Sequence, residues 1–371
     1  MLGALARADG LVALPRQPEF VPWPTVEWPR GALFDVPASV RRDIDRAVAA
    51  PDRDLGETRA VVVVYRGRLV YEAYARGYTP QQRHVSWSMA KSITQALVGA
   101  AVLQGLVDID RPMGSPRWRP DDPRAAITWR QWLTMTDGQR YLEIGAPSPT
   151  KSDAARMLFG RTRKDIVGYA ARLPLVHKPG EVWNYSTAAS VLLADALTRA
   201  VAPGEADARK RRAAMSAFMR DNLFFPIGMA SAQPEFDAQG TFIGGSLVYA
   251  TARDFAKFGL LYLRDGVWNA RRVLPAGWVD FARAKTPASN SDVYGAGWWI
   301  SPRAGDGVPI RNFTPASPRD LFSAQGHEGQ LIVLVPSKDL IIVRLGYTPG
   351  AWDALGAWID RIVLAFADVS P

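Results

Sequence analysis

The chain has 371 residues, 48% hydrophobic and 22% charged, the balance of a globular protein long enough to bury a large core. Net charge is +9, from 37 Arg and 8 Lys against 36 acidic residues; the basic residues are spread along the chain with no aromatic-interleaved patch, so no nucleic-acid partner is expected. There is no cysteine, which excludes disulfides, thiolate metal sites and a cysteine nucleophile, and His84, His177 and His327 lack the spacing of a zinc site, so no metal and no other cofactor is expected.

The first residues, Met1 to Pro15, are mildly apolar but interrupted by Arg7 and Asp9. They make a poor signal peptide, which favours a cytoplasmic location over a periplasmic one, and no segment is apolar for long enough to span a membrane. Residues 14–38 are rich in Pro and Trp and read as an extended arm over the surface, giving a first unit at 1–38. A short helix is predicted at Ser39–Ala49. Ala60–Tyr65 and Leu69–Ala75, joined by Arg66-Gly67-Arg68, read as a β-hairpin. Val85–Gln104 is apolar on most of a helical wheel, so it reads as a buried helix stopped by Gly105. Further helices are predicted at Trp129–Met135, Ser152–Phe159, Lys164–Leu173, Thr187–Arg199, Asp207–Leu223 and Ala252–Leu263. Gly329–Val335 and Leu340–Leu345 form a second predicted hairpin, and Ala351–Phe366 a closing helix. Strands and an apolar helix early, helices in the middle, then strands and a helix again predict an α/β unit built from residues 39–115 and 290–371, with a helical domain over 116–289 inserted into it.

Ser88-Met-Ala-Lys91 stands at the head of the buried helix. Residues three apart share a helix face, so Lys91 projects beside Ser88. Burial disfavours a charged ammonium and lowers its pKa, and a serine hydroxyl needs such a neighbouring base to become a nucleophile. A second Ser-x-x-Lys, Ser148 to Lys151, lies in a Pro-rich polar stretch and reads as a solvated loop. Tyr185 follows a Pro-Gly turn and precedes a helix, a position from which a phenol can move protons in a cleft; packing is the commoner fate of a tyrosine. Gly326-His-Glu-Gly-Gln330 opens the late strand run, where backbone N–H groups can point at an oxyanion; the alternative is a tight turn into an edge strand.

These three motifs in this order resemble the serine β-lactamase and penicillin-binding-protein superfamily, and within it the class C-like branch of β-lactamases, DD-peptidases, esterases and 6-aminohexanoate-dimer hydrolases. Trp132–Gly138, Gly244–Gly259 and Tyr294–Trp299 add to the resemblance, which covers about residues 55–366. It implies an antiparallel sheet flanked by helices with a mostly helical inserted domain. It also implies Ser88 as nucleophile, Lys91 as base or proton relay and Tyr185 as the group that protonates the leaving group and activates water. The implied oxyanion hole is the backbone N–H of Ser88 and of Gln330, with His327, Glu328 and Gly329 as the third, substrate-binding motif. Thr187 stands where the family usually has Asn or Ser, and Glu328 where β-lactamases have Thr or Ser. A Glu328 carboxylate facing the cleft would repel a β-lactam carboxylate.

The expected function is therefore a serine hydrolase that forms an acyl-enzyme with small amides or esters, most like a 6-aminohexanoate-dimer hydrolase. The alternatives are β-lactamase or DD-peptidase activity, or a ligand-binding sensor domain without turnover. The sequence carries no signal for oligomeric state. No Gly-x-Ser-x-Gly and no phosphate-binding Gly-x-x-x-x-Gly-Lys occurs, which argues against α/β-hydrolase and nucleotide chemistry.

Overall fold

The computed structural model describes residues 10–32, 35–288, 290, 292–300, 313–314, 316–350 and 352–369. Positions 1–9 and 33–34 of the expected arm, and Ala351 of the expected closing helix, lie outside these. Six strands form one sheet: β1 (Glu57–Tyr65), β2 (Arg68–Tyr74), β3 (Trp299–Ile300), β4 (Phe322–Gly326), β5 (Gln330–Val335) and β6 (Leu340–Tyr347), in the spatial order β2-β1-β6-β5-β4-β3. Every pairing within it is antiparallel. The first and last parts of the chain meet where β1 pairs with β6, Val62 opposite Val343.

The strands are apolar without interruption because both faces of the sheet are covered. Ala60, Val62 and Val64 share one core with Ile332, Leu334, Ile341 and Val343, while Val61, Val63, Leu331, Val333 and Ile342 share another. The second core is closed by helices α1 (Ala38–Ala49) and α5 (Trp352–Leu364), through Val40, Ile44, Trp358 and Ile359. The first is closed by α2 (Ala90–Leu103), α3 (Thr187–Val201) and α4 (Ala252–Leu263). In α2 every residue from Ala90 to Val102 is buried, as its all-round apolar sequence requires.

Helix α4 falls within the stretch expected to be a separate helical domain, yet it packs directly on β1, β5 and β6. Gly259 permits this approach: a Cβ there would sit 2.9 Å from Leu334 and 3.1 Å from Ile332. Residues 10–32 contain no helix and lie against the body, with Trp28 Nε1 donating to the Arg253 carbonyl (3.1 Å) and Gly31 N–H to the Leu69 carbonyl (3.0 Å).

Several elements differ from the sequence reading: β3 and β4 are not among the expected strands, and the helix expected from Val85 begins at Ala90, with Val85 paired to Tyr249 in a short strand. The helix predicted over Asp207–Leu223 runs from Ala208 to Met219 and closes in a wider turn, Arg220–Phe224. The segment Gly326–Gln330 ends one strand and opens the next: Gly326 is the last residue of β4 and Gln330 the first of β5. His327–Gly329 between them is a tight turn, with Glu328 (φ 62°) and Gly329 (φ 85°) both left-handed.

Candidate active site

Ser88 sits in a single turn, Trp87–Met89, that leads into α2. Trp87 is held at φ 44°, unusual for a bulky side chain, which turns the chain sharply just before Ser88. Ser86 fixes this turn from the other side: its amide donates to the Val248 carbonyl (2.8 Å), and its hydroxyl accepts from Val248 N–H (3.0 Å).

One turn on, Lys91 is buried, and its Nζ has three partners: Ser88 Oγ at 2.9 Å, Thr187 Oγ1 at 2.7 Å and the Gly245 carbonyl at 2.8 Å. The directions of these bonds are constrained. Gly245 O can only accept. Thr187 Oγ1 donates to Glu143 Oε1 (3.0 Å), so it too accepts from Lys91. A neutral amine has two N–H groups and one lone pair. The two N–H groups are committed, and the lone pair is left facing Ser88. Burial lowers the Lys91 pKa to about 8, with the Glu143 charge opposing the drop.

Each partner is delivered by a different element. Thr187 is the first residue of α3, whose Ser186 caps it by accepting from Ala189 N–H (3.1 Å). Gly245 must be glycine here, since a Cβ would come within 2.6 Å of Thr187 Cγ2. Glu143 grips both the N–H (3.1 Å) and the hydroxyl of Thr187. Sequence reasoning did not single out Glu143: it is a loop residue 44 positions from its partner, with no local signal beyond its place shortly after the Trp132–Gly138 stretch.

Glu143→Gln tests its part. An amide offers one acceptor where Thr187 needs two, and the charge that supports protonated Lys91 is lost. The half-rise of the pH–rate profile should move to lower pH, and kcat should fall by roughly tenfold, the scale of a disturbed positioning bond. A profile that stays in place would dissociate Glu143 from Lys91.

Tyr185 is buried beside Lys91, with Nζ 4.8 Å from the ring centre. Its hydroxyl is held well above the ordinary phenol pKa by burial first, then by Glu143 and Tyr294; a hydrogen bond with Ser88 works the other way. It is therefore a neutral phenol at physiological pH. The Trp132–Gly138 stretch shapes this region: the Met135 and Thr136 carbonyls accept from the Asn184 (3.0 Å) and Gly180 (2.7 Å) amides.

The third-motif residues are arranged differently from expectation. His327 is exposed, its ring edge-on to Trp87 at 5.5 Å. Glu328 lines a polar pocket of about 320 Å³ with Arg59, Tyr78, His84 and Trp87, and none of Ser88, Lys91 or Tyr185 lines that pocket. Trp87, the residue before Ser88, is the part of the nucleophile turn that this pocket shares with Glu328. Gly329 lies close to the buried Arg344, whose guanidinium donates to the Gly329 carbonyl (3.0 Å). The Gln330 side chain is committed to Gly346, donating to its carbonyl (2.6 Å) and accepting from its N–H (3.0 Å). Gly326 stands between Gln330 and the nucleophile turn, where a Cβ would collide with the Ser86 carbonyl.

Ser148 and Lys151 lie on a short turn with Lys151 exposed, away from these residues. Among the described residues no group of three or more His, Asp or Glu is placed to hold a metal, and no helix is long and apolar enough to cross a membrane.

Comparison with known proteins agrees with this architecture. A family model described as Beta-lactamase matches residues 54–362. The 6-aminohexanoate-dimer hydrolase of Paenarthrobacter ureafaciens is 24% identical over 312 residues, covering 79% of this chain and 73% of the relative. Among solved structures, a Bacillus anthracis protein designated a 6-aminohexanoate-dimer hydrolase superposes with a TM-score of 0.69 at 19% identity, over 95% of this chain and 89% of its own. A penicillin binding protein from Bacillus halodurans does so with a TM-score of 0.61 at 15% identity, over 86% and 98%. These two likenesses establish the fold. With a family match running from just before β1 to within α5, the chain belongs to the beta-lactamase family of hydrolases and is related at low identity to 6-aminohexanoate-dimer hydrolase.

Proposed function

We propose that the protein is a serine hydrolase that cleaves small amides or esters through an acyl-enzyme on Ser88. The observation that carries this reading is the committed bonding of Lys91, which leaves its neutral lone pair facing Ser88 Oγ at 2.9 Å. Lys91, with its pKa lowered to about 8, is the group that reaches its neutral form and can take a proton; Tyr185, with its pKa raised, stays protonated and has a proton to give. Lys91 takes the Ser88 proton as Oγ attacks the carbonyl carbon. Tyr185 gives its proton to the departing nitrogen or oxygen, and the phenolate is reprotonated from Lys91. Water then attacks the ester on Ser88 and loses a proton to the same pair, which returns it to Ser88 Oγ as the C–O bond breaks and the free acid leaves.

The Ser88 amide is one oxyanion donor. Because Gly326 rather than Gln330 abuts the nucleophile turn, we assign the second to the edge of β4 instead of the Gln330 amide.

The reading is tested by a fluorophosphonate probe and a panel of p-nitrophenyl esters, linear amide oligomers, D-Ala-D-Ala peptides and nitrocefin. The expected result is a covalent adduct located on Ser88 by peptide mass mapping, with turnover of esters or linear amides. A wild-type protein that neither labels nor turns over any member is a binding domain. Tyr185→Phe should still acylate with an activated reagent but hydrolyse unactivated amides about 10²–10⁴-fold more slowly, the range of a general acid. Wild-type amide rates in that variant would remove Tyr185 from the mechanism.

A further inference from the structure

Two aromatic groups adjoin Ser88: Tyr185, hydrogen-bonded to it, and Trp87, its neighbour in the chain. In the first group Tyr185 packs with Trp299 (5.2 Å) and Tyr294 (6.0 Å). In the second group the ring of Trp87 meets Phe159 edge-on at 6.2 Å. Phe159 is the last residue of the helix Asp153–Phe159, and 57% of it is exposed. An exposed phenylalanine at a helix end, brought to a tryptophan beside the nucleophile, does little for the core. Lys91 is committed to three partners and Glu143 to Thr187. What the two groups offer a substrate is apolar surface.

The two groups have different duties. In the acyl-transfer reading above, on which this inference rests, Tyr185 protonates the leaving group. The leaving group therefore lies along Tyr185, and the acyl chain points the other way. We propose that Trp87 and Phe159 form an apolar subsite for the acyl chain of the substrate, so that the enzyme prefers unbranched acyl groups of several carbons, with Phe159 as a specificity-determining residue. A chain laid on a half-open shelf gains less per methylene than one fully buried, so the expected selectivity is about two- to threefold per methylene.

The test is p-nitrophenyl acetate, butyrate and hexanoate with the wild type, Phe159→Ala and Phe159→Leu. Removing an exposed helix-end side chain leaves the core untouched, so the variants are expected to fold. Wild-type kcat/KM should rise from acetate to hexanoate by about tenfold or more. Phe159→Ala should keep the acetate rate within about twofold and lose most of the hexanoate advantage through KM, and Phe159→Leu should recover part of it. A flat wild-type series, or an equal loss on acetate and hexanoate, overturns the subsite. If no ester is turned over, the acyl-transfer reading fails separately. Calorimetric binding of hexanamide against acetamide then decides the subsite: tighter hexanamide binding that Phe159→Ala abolishes supports it, and equal binding of the two amides in the wild type overturns it.

Discussion

Ser88→Ala is expected to lower kcat by about 10⁴-fold or more on any substrate the protein turns over, and to abolish labelling by a fluorophosphonate. Nucleophile removal in a serine hydrolase leaves only binding and oxyanion stabilisation. The change deletes one oxygen at a partly exposed position, together with one hydrogen bond to Lys91 that is worth about 1 kcal/mol. The thermal transition should therefore move by only a few degrees, and far-UV circular dichroism should be unchanged. That separation, a collapsed rate on an intact fold, is what marks a nucleophile. A variant with near-native turnover, or an acyl group recovered on another residue, would remove Ser88 from the reaction.

Lys91→Arg should be nearly as damaging, by about 10³-fold or more, although it keeps a positive charge. A guanidinium does not lose its proton in the accessible range and cannot serve as a base. It is also larger, and Lys91 sits in a site closed by Thr187, Gly245 and the Tyr185 ring. The pH dependence carries the sharper test. With its pKa lowered to about 8, Lys91 is protonated and inactive as a base below that pH and neutral above it, so wild-type kcat/KM should rise with pH and level off above about 8. The residual activity of the arginine variant should lack that rise. The same shift has a consequence for stability. The folded-state pKa lies below the ordinary lysine value of 10.5, so the unfolded chain binds more protons between about 8 and 10.5. This residue therefore opposes folding fully below about pH 8 and progressively less as the pH rises through that window. If the arginine variant keeps substantial activity, Lys91 acts only through its charge.

The parts of the molecule that were legible in the sequence are those in which one segment carries its own instruction. The Val61–Val64 run and its neighbour β2 are joined by a short turn, and an apolar run buried on both faces needs no alternation to be recognised. Helix α2 is apolar around its circumference, and Ser88 lies three residues before Lys91 in the turn that runs straight into it, so their contact is set locally. Ser148 and Lys151 share the four-letter pattern but not the buried helix, and context separated the two.

What only the tertiary structure decided depends on residues distant in sequence. Strand β4, Phe-Ser-Ala-Gln-Gly, shows no alternation and little β propensity; it is a strand because β5 pairs along it and β3 closes its other edge. Once β4 exists, His327 to Gly329 become the turn between two strands, and Gly326, the last residue of β4, is what stands against the nucleophile turn. Likewise, the direction of the Lys91 lone pair is set by Gly245, 154 positions away, and by Thr187 with its partner Glu143. A helix fixes which residues share a face, whereas which acceptors saturate a buried amine is settled only when four separate segments close around it.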